Sequence, residues 1–138
     1  MENPLIRLAP QLFGDYPKSF IKLFNNISLN PEQDGNEVKE LIWKAYEFGK
    51  HYHEGQKRLS GKPFFSHCLA VANTLAVWKM DVTTIIAGLL HDTIEDTDAT
   101  LDEVRNNFGD DLGNLVDGLT KISGISYSSR KEKQAGNF

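Results

Sequence analysis

The chain has 138 residues, a formal net charge of −4, a sequence pI near 5.5 and a single cysteine. That length fits one domain with a real core. The acidic balance argues against broad binding to nucleic acid or to an anionic membrane, both of which need a basic face to neutralise phosphates, so an anionic ligand must be held by a local site.

The opening Met1-Glu2-Asn3-Pro4 is acidic and no long apolar stretch follows it, which reads as neither a signal peptide nor a spanning helix. Cys68 alone cannot form an internal disulfide. Both features point to a cytoplasmic protein. Helical periodicity recurs along the whole chain without internal repeats, and the predicted class is all-α.

Phe20, Ile21, Phe24 and Ile27 mark a first short helix, closed by Ser28-Leu29-Asn30-Pro31 and an Asp34-Gly35-Asn36 turn. Val38, Leu41, Ile42, Ala45, Tyr46 and Gly49 then form one stripe at spacings of three and four, predicting a second helix to about His51. The polar segment 54–62, with Gly55, Gly61 and then Pro63, should be a surface loop. A third helix carries Phe65, His67, Leu69, Ala72, Leu75 and Ala76 and ends near Met80, where Asp81 can cap the next helix through Thr83 or Thr84 amides.

Ile85-Ile86-Ala87-Gly88-Leu89-Leu90 leaves no solvent face, so the fourth helix should be central and should deliver His91 and Asp92 at its C-terminal end. Thr100 and Glu103 match a capping box for a short fifth helix that stops at Gly109. Leu112, Leu115, Val116, Leu119 and Ile122 predict a sixth. A Ser/Gly-rich loop over 123–129 follows, and residues 130–138 read as the beginning of another helix.

The chemistry concentrates in His91-Asp92-Thr93-Ile94-Glu95-Asp96, with His67 on the preceding helix. Imidazole nitrogen and carboxylate oxygen together suit a divalent cation, and such an ion with open positions can bind phosphate oxygens and acidify a water, which points to phosphoester hydrolysis. His91 and Asp92 sit about 100° apart on a helix and can still flank an ion beside it. Glu95 and Asp96 lie within a helical turn of these ligands and are placed to move protons; the alternative is a pair of solvated or capping acids in a 93–100 loop. Asp98 reads as a turn residue, and His51 and His53 as exposed because they are two apart. Cys68 reads as a small core residue rather than a nucleophile. Lys57, Arg58 and Lys62 can steer an anionic substrate, with Arg58 able to stack on a purine, or can be simply a solvated basic loop.

Residues 45–122 resemble the HD domain of the RelA/SpoT family, which makes and degrades guanosine tetraphosphate, through Gly55-Gln56-Lys57-Arg58-Leu59-Ser60-Gly61, Phe65-Ser66-His67, the 85–97 segment and Leu115-Val116-Asp117-Gly118-Leu119-Thr120-Lys121. The resemblance implies an HD-type helical bundle and one manganese ion (Mn2+) held by His67, His91 and Asp92. It also implies Glu95 and Asp96 as the catalytic acid pair, and substrate contacts from Arg58, Ser60 and Lys62 in the loop. The implied reaction is hydrolysis of the 3′-pyrophosphate of guanosine tetra- or pentaphosphate, with that guanine nucleotide as the small-molecule partner and neither nucleic acid nor membrane bound directly. Leu59 stands where a second basic residue is usual, and Cys68 where proline commonly follows the histidine. The family's further metal-binding aspartate lies in a later helix, nothing after Ile122 matches that segment, and Asp117 does not take its place. Residues 1–138 are therefore expected to be a single HD-type hydrolase domain, cut short at its C-terminal end, from a protein with a synthetase domain downstream. A non-catalytic nucleotide-binding or interdomain module with an incomplete metal site is the alternative, and an HD phosphohydrolase for another nucleotide is a third reading.

Overall fold

The computed structural model describes residues 16–122, so the predicted 123–129 loop and the helix start after it lie outside the described residues. Among the described residues six helices follow one another: α1 Lys18–Asn26, α2 Gly35–Tyr52, α3 Phe64–Val77, α4 Val82–Asp96, α5 Leu101–Phe108 and α6 over residues 110–122. Among the described residues the one β feature is an isolated Lys57–Pro63 bridge, and no helix is long and apolar enough to cross a membrane. The all-α bundle expected from periodicity is what forms.

α4 is the axle of this bundle, packed against α3 and α2, while α1 lies against α2 and α3. Its Ile85, Ile86, Ala87, Leu89 and Leu90 are all fully buried, as six consecutive apolar residues require. Each large aliphatic side chain so removed from water contributes about 1.5–3 kcal/mol against remaining exposed. Gly88 sets how closely α3 and α4 approach, because a Cβ there would stand 2.5 Å from Leu75 Cδ1. Polar ties add register: Ser19 and Tyr46 share a hydroxyl hydrogen bond of 2.8 Å between α1 and α2, and Asn26 donates to Asn73 at 3.0 Å between α1 and α3. Tyr52 donates to the Glu103 carboxylate, pinning α2 to α5.

The predicted boundaries hold where a cap defines them. Asp81 accepts from the Thr84 amide at 3.0 Å, Thr100 and Glu103 make the reciprocal capping box, and α5 ends at Gly109 with φ of 97°. α3 stops slightly before Met80. Lys79 adopts φ of 61° there, and the Met80 and Lys79 amides donate back to the Leu75 and Ala76 carbonyls, a left-handed helix stop made without glycine. Two expectations need correction. Asp34-Gly35-Asn36 is the start of α2 rather than a separate turn, since the Asp34 carboxylate accepts from the Asn36 and Glu37 amides. α4 also runs on past Asp92 to Asp96, so Glu95 and Asp96 are helical residues and not members of a loop. The extension is held because Thr93 is fully buried and Ile94 packs against the core, giving the last turns their own inward face.

Candidate functional site

Continuing the helix changes what the acids can reach. His91 and Glu95 become i and i+4, as do Asp92 and Asp96, so the group lies along one side of the last two turns. Ligand atoms of His91, Asp92 and Glu95 all fall within 4.8 Å of one another. The Asp92 carboxylate sits between two rings, with Oδ1 3.1 Å from His91 Nε2 and Oδ2 3.7 Å from His67 Nε2 on α3. His67 thus converges on the group that its sequence position suggested.

His91 Nδ1 is 2.9 Å from the Gly88 carbonyl, which can only accept, so the proton of a neutral ring is on Nδ1 and Nε2 presents a lone pair. That lone pair meets the Asp92 carboxylate, an arrangement that calls for positive charge between them, either a proton or a cation. Donors around a divalent ion about 2.1 Å away are spaced by about 3 Å or a little more. His91, Asp92 and Glu95 are grouped closely enough that they could hold such an ion, and His67 Nε2 stands 3.7 Å from the Asp92 carboxylate.

The chain's sequence matches the profile of the HD domain over residues 45–138. It is 50% identical over 99 residues to guanosine-3′,5′-bis(diphosphate) 3′-pyrophosphohydrolase of Aquifex aeolicus, covering 72% of this chain and 14% of that protein. It is also 43% identical over 129 residues to GTP pyrophosphokinase of Myxococcus xanthus, covering 91% and 16% of the two chains. A third relative is GTP pyrophosphokinase rsh of Brucella melitensis, 48% identical over 105 residues that cover 76% and 14%. This chain belongs to the HD domains of the RelA/SpoT family. It spans only about one sixth or less of the length of these relatives.

The electrostatics of this HD domain follow from crowding four acids and bases on one helix end. Without a cation, the hydrogen bond to Asp92 raises the His91 pKa above its ordinary value against the opposing effect of burial. Burial raises the Asp92 carboxyl, but the hydrogen bond from His91 and the nearby imidazoles outweigh it and leave the group below the usual range. Glu95 and Asp96 are both raised, first by desolvation and then by the charge on Asp92. Two carboxyl groups that hold protons more readily than usual beside a cation-ready cluster are suited to proton transfer.

Arg58, Ser60 and Lys62 share one exposed loop, closed by Arg58 N–H to Lys62 carbonyl and Gly61 N–H to Arg58 carbonyl bonds of 2.8 Å each. Gly61 has φ of 87°, which explains the glycine at this turn. Lys57 and Leu59 are exposed with them. Cys68 is fully buried and burial pushes its thiol up to about 12, so it is core and not a nucleophile at neutral pH. His51 is exposed as expected. His53 is not: it is 2% exposed, and the expectation for it is overturned because it continues the buried stripe of Ile42, Tyr46 and Gly49 at helical spacing. A cavity of about 620 Å³ lies off this cluster, lined by Trp43, Tyr46, Lys50, Phe65 and Leu69 among others, and includes none of His67, His91, Asp92, Glu95 or Asp96.

Proposed function

We propose that this domain hydrolyses the 3′-pyrophosphate of guanosine tetra- or pentaphosphate, as the N-terminal, 1–138 hydrolase part of a bifunctional cytoplasmic protein with a synthetase domain downstream. The observation that carries the reading is the grouping of His91, Asp92 and Glu95 ligand atoms within 4.8 Å of one another, with His67 Nε2 3.7 Å from the Asp92 carboxylate. The name of the Aquifex aeolicus relative supports the choice of substrate. His67, His91 and Asp92 are the residues that would hold a single Mn2+. When bound, that ion supplies Lewis-acid charge beside the phosphate oxygens and makes a water more acidic.

The protein's own groups divide the remaining work. Gly88 orients His91 through the Nδ1–H bond, so no reorganisation of the ring is needed on loading. Glu95 and Asp96, with their raised affinity for protons, form the pair that takes a proton from the attacking water and returns one to the departing 3′ oxygen. The water oxygen bonds to the inner phosphorus, the bond from phosphorus to the 3′ oxygen breaks, and pyrophosphate and a free 3′-hydroxyl result. Arg58, Ser60 and Lys62 meet the nucleotide, with the Arg58 guanidinium available to lie on the guanine face.

The test is turnover of guanosine tetraphosphate with Mn2+, in this chain and in its longer parent. Pyrophosphate release that disappears with His91→Ala is the expected result, and unchanged release rejects the assignment. A chain that neither takes up Mn2+ nor gains stability from it is a nucleotide-binding or interdomain module instead.

A further inference from the structure

The helix end that carries the acid cluster is held from outside by two residues that the mechanism does not use. His53 caps α2, and its ring is stacked on Phe64 with centroids 5.1 Å apart. A buried imidazole needs partners on both nitrogens. His53 Nδ1 lies 2.8 Å from Gln56 Oε1 and Nε2 lies 3.1 Å from Thr93 Oγ1, while Gln56 Nε2 donates to the Asp96 carbonyl at 2.8 Å.

These bonds fix one another's direction. The Asp96 carbonyl can only accept, so the amide nitrogen of Gln56 must face it and the amide oxygen must face His53. That oxygen also only accepts, which puts the His53 proton on Nδ1. Nε2 then accepts from the Thr93 hydroxyl at 3.1 Å, with the Cys68 thiol 3.7 Å from the same nitrogen. Asp96 is the last residue of α4, and its carbonyl is among the acceptors that a helix end leaves without an internal partner. Gln56 supplies the missing donor. It is itself pinned by backbone bonds from its amide to the His53 carbonyl at 3.0 Å and from the Phe64 amide to its own carbonyl at 2.9 Å, at the base of the loop bearing Arg58.

Resting on the hydrolase reading above, we propose that His53, Gln56 and Thr93 form a positioning strut that locks the last turn of α4, and so the Asp92, Glu95 and Asp96 carboxylates, in register with the substrate loop. None of the three touches the reacting atoms. Their role is to hold the geometry into which the cation and the water fit, as polar partners behind metal ligands do elsewhere.

The experiment uses the 138-residue chain with Gln56→Met, Thr93→Val and Thr93→Ser. In the metal-free protein, nitrogen NMR should find the His53 proton on Nδ1, and amide exchange at residues 93–97 should rise about tenfold relative to the rest of the domain in Gln56→Met and Thr93→Val. Titration with Mn2+ alone should give an affinity about tenfold weaker in those two variants and close to the parent in Thr93→Ser. Should Gln56→Met fail to fold, the two Thr93 variants decide, because valine keeps the shape and loses the hydroxyl while serine does the reverse. Valine tolerated and serine damaging overturns the strut, as does exchange that rises evenly through the domain. If the parent chain binds no Mn2+ at all, the hydrolase reading falls, and the His53 proton and local exchange still judge the strut by themselves.

Discussion

Residues 82–90 and 91–96 belong to one unbroken helix, yet different forces hold them. The first part is encased: Ile85, Ile86, Ala87, Leu89 and Leu90 have no exposure, and burial alone fixes where they lie. The second part carries the half-buried His91 and Asp92 and the exposed Glu95 and Asp96, and it stays helical because Thr93 and Ile94 face inward and Gln56 holds its last carbonyl. A cluster of charged groups needs solvent, and the non-directional hydrophobic effect cannot position it. The domain therefore anchors the cluster on a greasy rod and steers the free end with directional bonds.

The largest effect should come from the rod. Leu89→Ala removes a fully buried side chain from the middle of α4 and is expected to destabilise by about 3–5 kcal/mol, read as a lowered urea midpoint with unchanged slope. A loss below about 1 kcal/mol would mean that the first half is not held by packing. Next is the cluster. Asp92→Asn withdraws the carboxylate between the two imidazoles and should weaken Mn2+ binding by about 100-fold or more, with the fold intact by circular dichroism. Together the two variants sharpen the contrast: the first weakens the fold, the second only the site.

pH separates the halves as well. Glu95 and Asp96 have folded-state pKa values raised by desolvation and by Asp92, so the folded state binds their protons more tightly than the unfolded chain does. Their contribution is most favourable below the unfolded values near 4.5 and 3.8 and is lost as pH rises through the raised folded values. Glu95→Gln should accordingly raise the thermal midpoint of the metal-free chain at pH 7 and leave it unchanged near pH 3. A midpoint that falls at pH 7 contradicts the assigned crowding. At the other end of α4, Asp81 behaves oppositely: hydrogen bonding from Thr84 lowers its pKa, so its support is present above the unfolded value near 3.8 and lost as pH falls through the folded value. Asp81→Ala should cost about 1 kcal/mol at pH 7 and nothing below the folded pKa, measured by denaturant unfolding.

Much of this was readable in the residues. Caps are local chemistry, so Asp81, Thr100 with Glu103, and Gly109 announce helix ends without knowledge of the fold. The apolar run 85–90 announces burial for the same reason. The run of α4 to Asp96 is not legible locally because its support comes from Gln56 and His53, some forty positions away in sequence. The burial of His53 is hidden in its spacing to His51 and visible in its spacing to Ile42, Tyr46 and Gly49, whose stripe it extends. The convergence of His67 on Asp92 was expected from neighbouring helices, while the placement of Asp92 between two rings required coordinates.

The smallest expected effect lies at the join between α3 and α4. Lys79 takes the left-handed conformation, with φ of 61°, so that the chain can turn from Val77 into the Asp81 cap. A side chain in that region costs roughly 1–2 kcal/mol. Glycine avoids that cost but adds about 0.5–1 kcal/mol of freedom to the unfolded chain. The difference predicts that Lys79→Gly stabilises by roughly 0.5 kcal/mol, visible as a higher urea midpoint. Because Lys79 is exposed and outside the cluster, Mn2+ affinity should not move. A stabilised chain with unchanged affinity fits a rod and a steered end held independently; a change in affinity would show that the α3–α4 turn also governs the acids about three turns and more beyond it.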